Sequence, residues 1–259
     1  MASEKEKMGV REALEKRIST RSFLDRPVSM GEVSQILSTA SRAPSGGNTQ
    51  PWHVYVVWGE EKERLSRLVF EAMEAGDTGN QAEFEVYPPN EAQFVFSFSF
   101  LLILVAATHF FYYFESSAGY LDRRRRLAFE MFRLMGIDRK DAGARAEVLL
   151  RNFRFFGAPV GLFVTVDRIV DRNGWGHVGM FIQSLCLLAE EAGLATCLQE
   201  AWANWSQLLA KELSIPASEV LWCGIALGYA DTTDPVNSLK SERLPLSEFV
   251  TFKGPSSKL

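Results

Sequence analysis

The pattern of apolar residues divides the chain into helix-like and strand-like segments. A period near 3.6 residues is typical of amphipathic helices and predicts helices at 8–18, 29–43, 60–76, 121–136, 141–156, 177–193 and 204–213. Runs rich in β-branched and aromatic residues predict strands at 53–58, 158–167 and 219–230. This mixture predicts an α+β fold in which helices flank a sheet, and the whole chain, 1–259, is interpreted as a single domain.

Two of these elements are predicted to be buried. Residues 177–193 carry few charges and have apolar side chains on most helical faces, which is typical of a central helix. Residues 219–230 are apolar on both faces, as an inner strand would be. Prolines interrupt the remaining residues, 231–259, which we expect to form an extended arm.

Two helix starts carry capping signals. Ser29 and Glu32 have the spacing of a capping box, which favours a helix that begins at this point. Asn204 precedes a helical pattern and is expected to be the N-cap of the helix at 204–213.

One segment departs from this alternation. Residues 94–114 form a run of 21 residues without Asp, Glu, Lys or Arg. As a helix this run would extend about 31 Å, close to the thickness of the hydrocarbon core of a bilayer. The pattern alone therefore allows a membrane-associated or interaction protein built around this run.

The composition excludes several other classes of protein. The chain of 259 residues is 47% hydrophobic and 23% charged with a net charge of −4, which does not favour a nucleic-acid partner. Its first residues lack the apolar core of a signal peptide. The three cysteines form no CxxC pair and share no ligand spacing with the histidines, so we expect buried thiols, a cytoplasmic protein and no metal site.

The first candidate for chemistry is the sequence "KRISTRSF". Arg17, Ser19 and Arg21 stand at alternate positions where a helix ends. In an extended chain, alternate side chains point to the same side. Two guanidinium groups and a hydroxyl on one side predict a site for a phosphate or another anion. A solvated helix end remains the alternative.

The second candidate is the sequence "APSGGNTQPW". Its small residues would allow a planar ligand to approach the backbone closely, and Asn48 and Gln50 carry amides that can bind a heterocycle. An ordinary turn is the alternative.

Two later segments could complete a site. Gln199 and Glu200 end a short apolar run after Gly193, which favours a strand that enters a pocket. Lys240 and Arg243 lie in a polar, proline-marked segment that could return to the anion site. A plain connection and a solvated tail are the respective alternatives.

Taken in this order, the four segments resemble the FMN-dependent nitroreductase family. The residues that carry the resemblance are Arg17, Ser19, Arg21, Phe23, Pro27 and Val28, the stretch Ala43 to Trp52, and the segments "RNFRFFGAPV", "MFIQSLCLLAEEAGLATC" and "GIALGYADTTDPVNSLKSERLPL". The resemblance covers residues 8–90 and 121–253, so residues 91–120 have the character of an insertion.

The resemblance implies an intertwined homodimer with FMN at the interface, in which each FMN touches both chains. It implies that Arg17, Ser19 and Arg243 hold the phosphate with help from Lys240, that Arg21 lies beside the N1–O2 edge of the flavin, and that a backbone N–H near Glu200 and Ala201 faces N5. The expected contacts with FMN are Arg17, Ile18, Ser19, Arg21, Pro44, Ser45, Gly46, Asn48, Gln50, Gln199, Glu200, Ala201, Lys240 and Arg243.

The implied activity is that of an NAD(P)H oxidoreductase. NAD(P)H would reduce FMN, and a small electron-poor acceptor such as a nitroaromatic or a quinone would then be reduced in the same space by a ping-pong mechanism. The cofactor supplies the redox chemistry, so no catalytic nucleophile is expected. Two alternatives are a reductive dehalogenase of the iodotyrosine deiodinase type, whose lid has no convincing match at 65–120, and a membrane-associated FMN-binding protein that is not an enzyme.

The implied site also bears on the apolar run. A single membrane crossing at 94–114 would separate Arg17 and Asn48 from Glu200 and Arg243, so membrane contact remains open but a crossing is not expected. Residues 91–120 are then a helix that covers the active-site mouth, an interfacial segment, or a gene-model error such as a translated intron. The sequence leaves open the acceptor, the choice of NADH or NADPH, and two- or four-electron reduction.

Overall fold

The protein is described here by a computed structural model. The structure describes residues 8–86, 119–138 and 140–254. The apolar run 94–114 lies outside these residues, and the interpretation of 91–120 as an insertion stays a prediction. Within the described ranges, no helix combines the length and the apolar character that a membrane span requires.

The described residues form a four-stranded antiparallel sheet. Its strands are β1 (Trp52–Trp58), β2 (Val160–Asp167), β3 (Ala195–Gln199) and β4 (Glu219–Gly228), in the spatial order β1-β2-β4-β3. The two inner strands, β2 and β4, are buried along most of their length, which confirms the prediction of an inner strand at 219–230. The edge strand β3 begins just after Gly193, where the short apolar run had indicated a strand.

Eight α-helices of the described chain surround this sheet. They are α1 (Val10–Lys16), α2 (Met30–Ala40), α3 (Gly59–Glu74), α4 (Tyr120–Leu134), α5 (Ala142–Leu150), α6 (Asp171–Glu191), α7 (Ser206–Leu213) and α8 (Leu246–Phe249). Short 3₁₀ turns occupy Gly46–Asn48, Arg151–Gly157, Arg168–Val170, Glu200–Trp205 and Pro235–Ser238. The seven predicted helices are confirmed in type, and the α+β class with them.

The predicted helix at 141–156 is too long. α5 ends at Leu150, and Phe155 and Phe156 adopt left-handed backbone with φ of 49° and 54°. The ring of Phe155 lies over Gly161 of β2, where a Cβ atom would stand only 2.5 Å from the ring. Tertiary packing of this fully buried aromatic side chain therefore overrides the helical period.

Two further helix starts differ in detail from the predictions. Ser29 is the N-cap of α2 but forms no side-chain capping bond. Asn204 is not the N-cap of α7, which begins at Ser206 after a 3₁₀ turn. The side chain of Gln81 supplies the cap instead, because its Oε1 accepts hydrogen bonds from the N–H groups of Gln207 and Leu208.

Two hydrophobic cores lie on opposite faces of the sheet. α2 and α6 cover one face, and α3 packs on the other together with aromatic residues of the 3₁₀ turns. α6 is buried on its sheet-facing side, including Val178 and Leu185, whereas Met180 is 39% exposed. The prediction that the helix at 177–193 is buried is therefore confirmed for its sheet-facing side, whereas its other side is exposed in the single chain.

A polar cluster closes one end of the sheet. The carboxylate of Glu219 accepts hydrogen bonds from Thr165 Oγ1 at 2.5 Å and Tyr55 OH at 3.1 Å, and lies 2.9 Å from His53 Nδ1. Burial acts to raise the pKa of Glu219, but the hydrogen bonds outweigh burial and lower it. Burial first, and the contact with Glu219 second, raise the pKa of Tyr55 to about 12.

Removal of this carboxylate should destabilise the fold. We expect Glu219→Gln to lower the free energy of unfolding by about 1–3 kcal/mol at pH 7, since the hydroxyl groups of Thr165 and Tyr55 lose a charged acceptor. The contribution of Glu219 is complete above the unfolded value of 4.5 and is lost as the pH falls through the lower folded pKa. Urea denaturation at pH 7 and at acidic pH tests this expectation, with Glu248→Gln on the exposed arm as the control. Equal acid sensitivity of Glu219→Gln and wild type would contradict it.

Candidate active site

The N-terminal segment runs along the edge of the sheet. Ser19 forms a parallel bridge with Thr196 of β3, and the N–H of Thr20 donates to the carbonyl of Thr196 at 3.0 Å. Farther on, Phe23 forms an antiparallel bridge with Ala230, just beyond β4. Thr20 is buried while Ser19 and Arg21 remain partly accessible, as the extended alternation predicts.

Arg21 is held in place from several directions. Its backbone N–H donates to Asn237 Oδ1 at 2.8 Å, and its carbonyl accepts from Arg151 Nη2 at 2.9 Å. Its own guanidinium donates to the carbonyl of Ser19 at 3.0 Å. These contacts order the backbone and the side chain of Arg21 without neutralising its charge.

The field at the edge of β3 is positive. Burial raises the pKa of Cys197 to about 11, and the charges of Arg21 and Arg17 oppose this shift. Burial also raises the pKa of Glu190 at the end of α6, and here Lys16 and Arg17 oppose it. Both arginines therefore act on the same edge of the sheet, which suits an anionic ligand.

β3 ends next to this positive edge. Gln199 is its last residue, and its Nε2 donates to the carbonyl of Asn152 at 2.7 Å. The Oε1 atom of Gln199 is buried and has no partner in the described structure. Glu200 and Ala201 then begin a 3₁₀ turn, so the structure brings Arg17, Ile18, Ser19 and Arg21 to the edge strand that leads into Gln199, Glu200 and Ala201.

The second predicted segment forms a separate, exposed loop. The N–H of Gly46 donates to His177 Nε2 at 3.1 Å, and the N–H of Gln50 donates to Ser45 Oγ at 3.0 Å. Asn48 and Gln50 have positive φ values of 57° and 46°. The loop that contains Pro44, Ser45, Gly46, Asn48 and Gln50 is therefore anchored near the start of α6.

Within one chain, the loop that contains Ser45 to Gln50 lies far from the positive edge at β3. His177 contacts the loop. Glu190 lies near the other end of α6, where the positive charge of Arg17 acts to lower its pKa. His177 and Glu190 are thirteen residue steps apart in α6, which corresponds to about 20 Å along the helix axis. The predicted site residues thus form two groups at opposite ends of α6.

In the C-terminal segment, Asn237 stabilises the backbone around Arg21, but Lys240 and Arg243 do not lie at the predicted phosphate site within one chain. Asn237 Nδ2 donates to the carbonyls of Ser22 and Asp231 at 2.7 and 2.8 Å, in addition to the bond from Arg21. Lys240 and Arg243 are exposed. Arg243 Nη1 donates to the carbonyl and hydroxyl of Ser241 at 2.9 and 2.6 Å, so within one chain it folds back on its own segment.

Sequence reasoning missed several residues that shape this site. From the sequence, His177 is considered only among the possible metal ligands, and Arg151 and Asn152 are placed in the predicted helix 141–156. Each acts on residues more than 40 positions away. The one usable signal is the family resemblance, because two of the segments that carry it, "RNFRFFGAPV" and "GIALGYADTTDPVNSLKSERLPL", contain Arg151, Asn152 and Asn237.

A four-stranded sheet flanked by helices, with the positive charges of Arg17 and Arg21 beside β3, defines an α+β protein with a candidate anion-binding site. Residues 14–229 match the Nitroreductase family, and the chain belongs to that family. It is 36% identical over 237 residues to a nitrobenzene nitroreductase of Ectopseudomonas oleovorans, covering 91% of this chain and 93% of the relative. It is 33% identical over 238 residues to a 4-nitrobenzoate reductase of Pseudomonas putida, covering 92% of each.

Solved structures agree with this assignment. The fold is similar to the crystal structure of the FMN- and NADPH-dependent nitroreductase NfnB from Sphigopyxis sp. strain HMH, with a TM-score of 0.83, 34% identity and coverage of 95% of this chain and 100% of that one. It is also similar to NfnB from Mycobacterium smegmatis in complex with NADPH, with a TM-score of 0.76, 26% identity and coverage of 95% and 98%.

The hydrogen bonds between Asn237 and the segment around Arg21 can be tested by mutation. Asn237→Ala should remove three hydrogen bonds and leave the N–H of Arg21 without its acceptor, so we expect a loss of about 1–3 kcal/mol in the free energy of unfolding. Amide hydrogen exchange should show loss of protection at Arg21. The matched control is Asn80→Ala, at an exposed position. Unchanged protection at Arg21 would show that Asn237 is dispensable.

Proposed function

We propose that the protein is an FMN-dependent NAD(P)H oxidoreductase that reduces nitroaromatic compounds. The observation that carries this proposal is the positive edge of β3, where Arg17 and Arg21 act together beside Ser19. Membership of the nitroreductase family supports it, as do relatives named for nitrobenzene and 4-nitrobenzoate reduction.

The residues present fit FMN. Arg17 and Ser19 provide a guanidinium and a hydroxyl for a phosphate, a pairing that gives short, charge-assisted hydrogen bonds. The buried, unpartnered Oε1 of Gln199 lies at the same strand end and can accept a hydrogen bond. The exposed loop offers the side-chain amides of Asn48 and Gln50, which can bind a heterocycle.

Bound FMN would accept electrons from NAD(P)H and pass them to the nitroaromatic acceptor. The protein would bind and orient the reactants. Arg21 would hold a fixed positive charge where negative charge develops, and its bonds with Asn237 and Arg151 mean that little reorganisation is needed. Ile18, Ala201 and Pro44 would shape the surrounding walls.

We further propose that two chains complete each site. The loop and the positive edge lie about 20 Å apart along α6, so one cofactor reaches both more readily when a second chain supplies the loop. α6 presents Met180 and Gln183 on an exposed face that could join the two chains. Lys240 and Arg243 would then reach the phosphate by rearrangement or from the partner's arm. A cytoplasmic location agrees with three buried free cysteines and with the use of NAD(P)H.

The direct test is spectroscopic and kinetic. The purified protein should be yellow from bound FMN, and it should oxidise NADPH or NADH in the presence of nitrobenzene or 4-nitrobenzoate. Parallel lines in double-reciprocal plots would show the ping-pong mechanism. A colourless protein that does not bind added FMN would refute the proposal.

Arg17 should contribute strongly to cofactor affinity. We expect Arg17→Ala to weaken FMN binding by about 1.5–3 kcal/mol, because a charge-assisted contact with the phosphate is lost. Fluorescence titration of apoprotein with FMN measures this effect. Arg11→Ala on the exposed side of α1 is the matched control and should bind like wild type. Equal affinity of Arg17→Ala and Arg11→Ala would remove Arg17 from the phosphate site.

A further inference from the structure

A single hydrogen bond attaches the exposed loop 45–50 to α6. The backbone N–H of Gly46 donates to Nε2 of His177 at 3.1 Å, and within the described residues no other hydrogen bond ties the loop to another part of the chain. A Cβ atom at Gly46 would stand 3.2 Å from the imidazole, so the absence of a side chain lets the ring lie close to the backbone. His177 is therefore the contact that sets the position of this loop on the helix.

The loop holds a backbone conformation that its residues do not favour. Asn48 and Gln50 have φ values of 57° and 46°, in the left-handed region that residues with a Cβ atom rarely adopt. The internal hydrogen bonds of the loop run from the N–H groups of Asn48 and Gln50 to the carbonyl and the hydroxyl of Ser45, at 2.9 and 3.0 Å. Such backbone persists only where the surroundings fix it, so the contact next to Ser45, at Gly46, stabilises the whole loop.

The same face of α6 also holds the chain that leaves the loop. Phe181 lies one helical turn after His177, so the two side chains lie on one face of the helix. The buried ring of Phe181 stacks on Trp52, the first residue of β1, with centroids 5.0 Å apart and an interplanar angle of 10°. α6 therefore holds the chain on both sides of Asn48 and Gln50, the two amides proposed to bind the heterocycle.

The bond from Gly46 also determines where His177 carries its proton. A backbone N–H can only donate, so Nε2 is the acceptor and the proton of the neutral ring lies on Nδ1. Nδ1 is buried and has no hydrogen-bond partner in the described structure, so no acceptor of the described chain stabilises a charged imidazolium at that nitrogen. A second proton, on Nε2, would set two donors against each other and break the contact with Gly46.

Several titratable or charged groups lie on the elements around His177, but within the described residues none forms a hydrogen bond or an ion pair with it. They are His53 and Tyr55, which contact Glu219, Arg168 and Glu83, which form an ion pair, and Arg42, Asp171 and Arg172. The bond to Gly46 is therefore the contact through which protonation of His177 acts on the loop.

We propose that His177 is a positioning residue of the cofactor site, which holds loop 45–50 in the conformation that binds FMN only while its Nε2 is unprotonated. The proposal rests on the proposed function in one respect, since the loop matters for catalysis only if FMN binds there. Proton uptake at Nε2 releases Gly46, so acid weakens cofactor binding. The sign follows from linkage: the affinity is complete where the imidazole is neutral and falls as the pH is lowered through its protonation.

The contact can be measured without cofactor. In apoprotein labelled with ¹⁵N, long-range proton–nitrogen correlation spectra distinguish the two ring nitrogens of His177, whose signals are assigned by their loss in His177→Gln. We expect the proton on Nδ1 at neutral pH. Amide hydrogen exchange should show protection at Gly46 that is kept in His177→Gln, whose Oε1 can accept the same bond, and lost in His177→Phe. A proton on Nε2, or equal protection in His177→Phe and wild type, would overturn the proposal.

The effect on the cofactor is measured by fluorescence titration of apoprotein with FMN at about pH 8 and about pH 6, a range in which imidazoles change charge. At the higher pH, His177→Phe should weaken binding about 2–10-fold, the effect of one net hydrogen bond, and His177→Gln should bind like wild type. At the lower pH, wild type should lose more affinity than His177→Gln.

Two comparisons assign this loss to His177. The phosphate of FMN titrates in the same range, but it is common to all the proteins compared. His53→Gln, which changes an exposed histidine of β1, is the matched control and should keep the pH dependence of wild type.

The outcomes separate the two proposals. The same pH dependence of FMN affinity in His177→Gln and wild type would show that an unprotonated Nε2 does not position the site, although the protein binds FMN. Failure of wild type to bind FMN at either pH would refute the proposed function and the positioning role together, while the tautomer and the protection at Gly46 would still report whether His177 anchors the loop.

Discussion

The length of α6 is the constraint on which the arrangement of the site depends. The helix is continuous from Asp171 to Glu191 and its sheet-facing side is buried, so it holds its two ends at a fixed separation. It holds the Ser45–Gln50 loop at one end, through His177, and the positive edge at the other, where Glu190 faces Arg17. This separation of about 20 Å along the helix axis is the reason for the proposal that two chains share each site.

Within one chain, the positive edge is organised by the pairing of the N-terminal segment with β3. That pairing is short, and residues distant in sequence stabilise it: Asn237 and Arg151 both bond to the backbone of Arg21. Their bonds leave the guanidinium of Arg17 and the hydroxyl of Ser19 available at the surface. Preorganised charge of this kind binds an anion without the cost of ordering the backbone at the moment of binding.

Much of the fold follows from local patterns in the sequence. The period of apolar residues located α3 and α6, and β-branched and aromatic runs located β1, β2 and β4, because burial of one face or both is imposed residue by residue. The alternation of Arg17, Ser19 and Arg21 likewise predicted an extended segment. Local patterns do not show which distant segments meet in the fold. The order of the motifs, through its resemblance to a known family, supplies that link.

The features that the sequence did not predict are those that depend on distant contacts. Phe155 leaves the helical conformation because its ring must pack over Gly161. A β-bulge makes Trp222 an extra residue between the pairs Leu221–Thr165 and Cys223–Val164, and only the register of the two paired strands reveals it. The division of the site into two groups was likewise invisible in the residues themselves, since it depends on which end of α6 each segment contacts. Local propensity does not predict these features, because each depends on contacts with residues that are distant in sequence and come together only in the folded chain.

The claim that two chains share each site can be tested by subunit mixing. One variant carries Arg17→Ala with Ser19→Ala, which disables the positive edge, and the other carries Asn48→Ala with Gln50→Ala, which disables the loop. Each should bind FMN poorly alone, and heterodimers isolated by two affinity tags are then compared with both parents. If the site is shared, each heterodimer contains one site with both halves intact and should recover FMN binding and nitrobenzene reduction at about half the wild-type level, as expected for closed two-fold symmetry. Heterodimers no better than their parents would show that each chain builds its site alone, and would contradict the account.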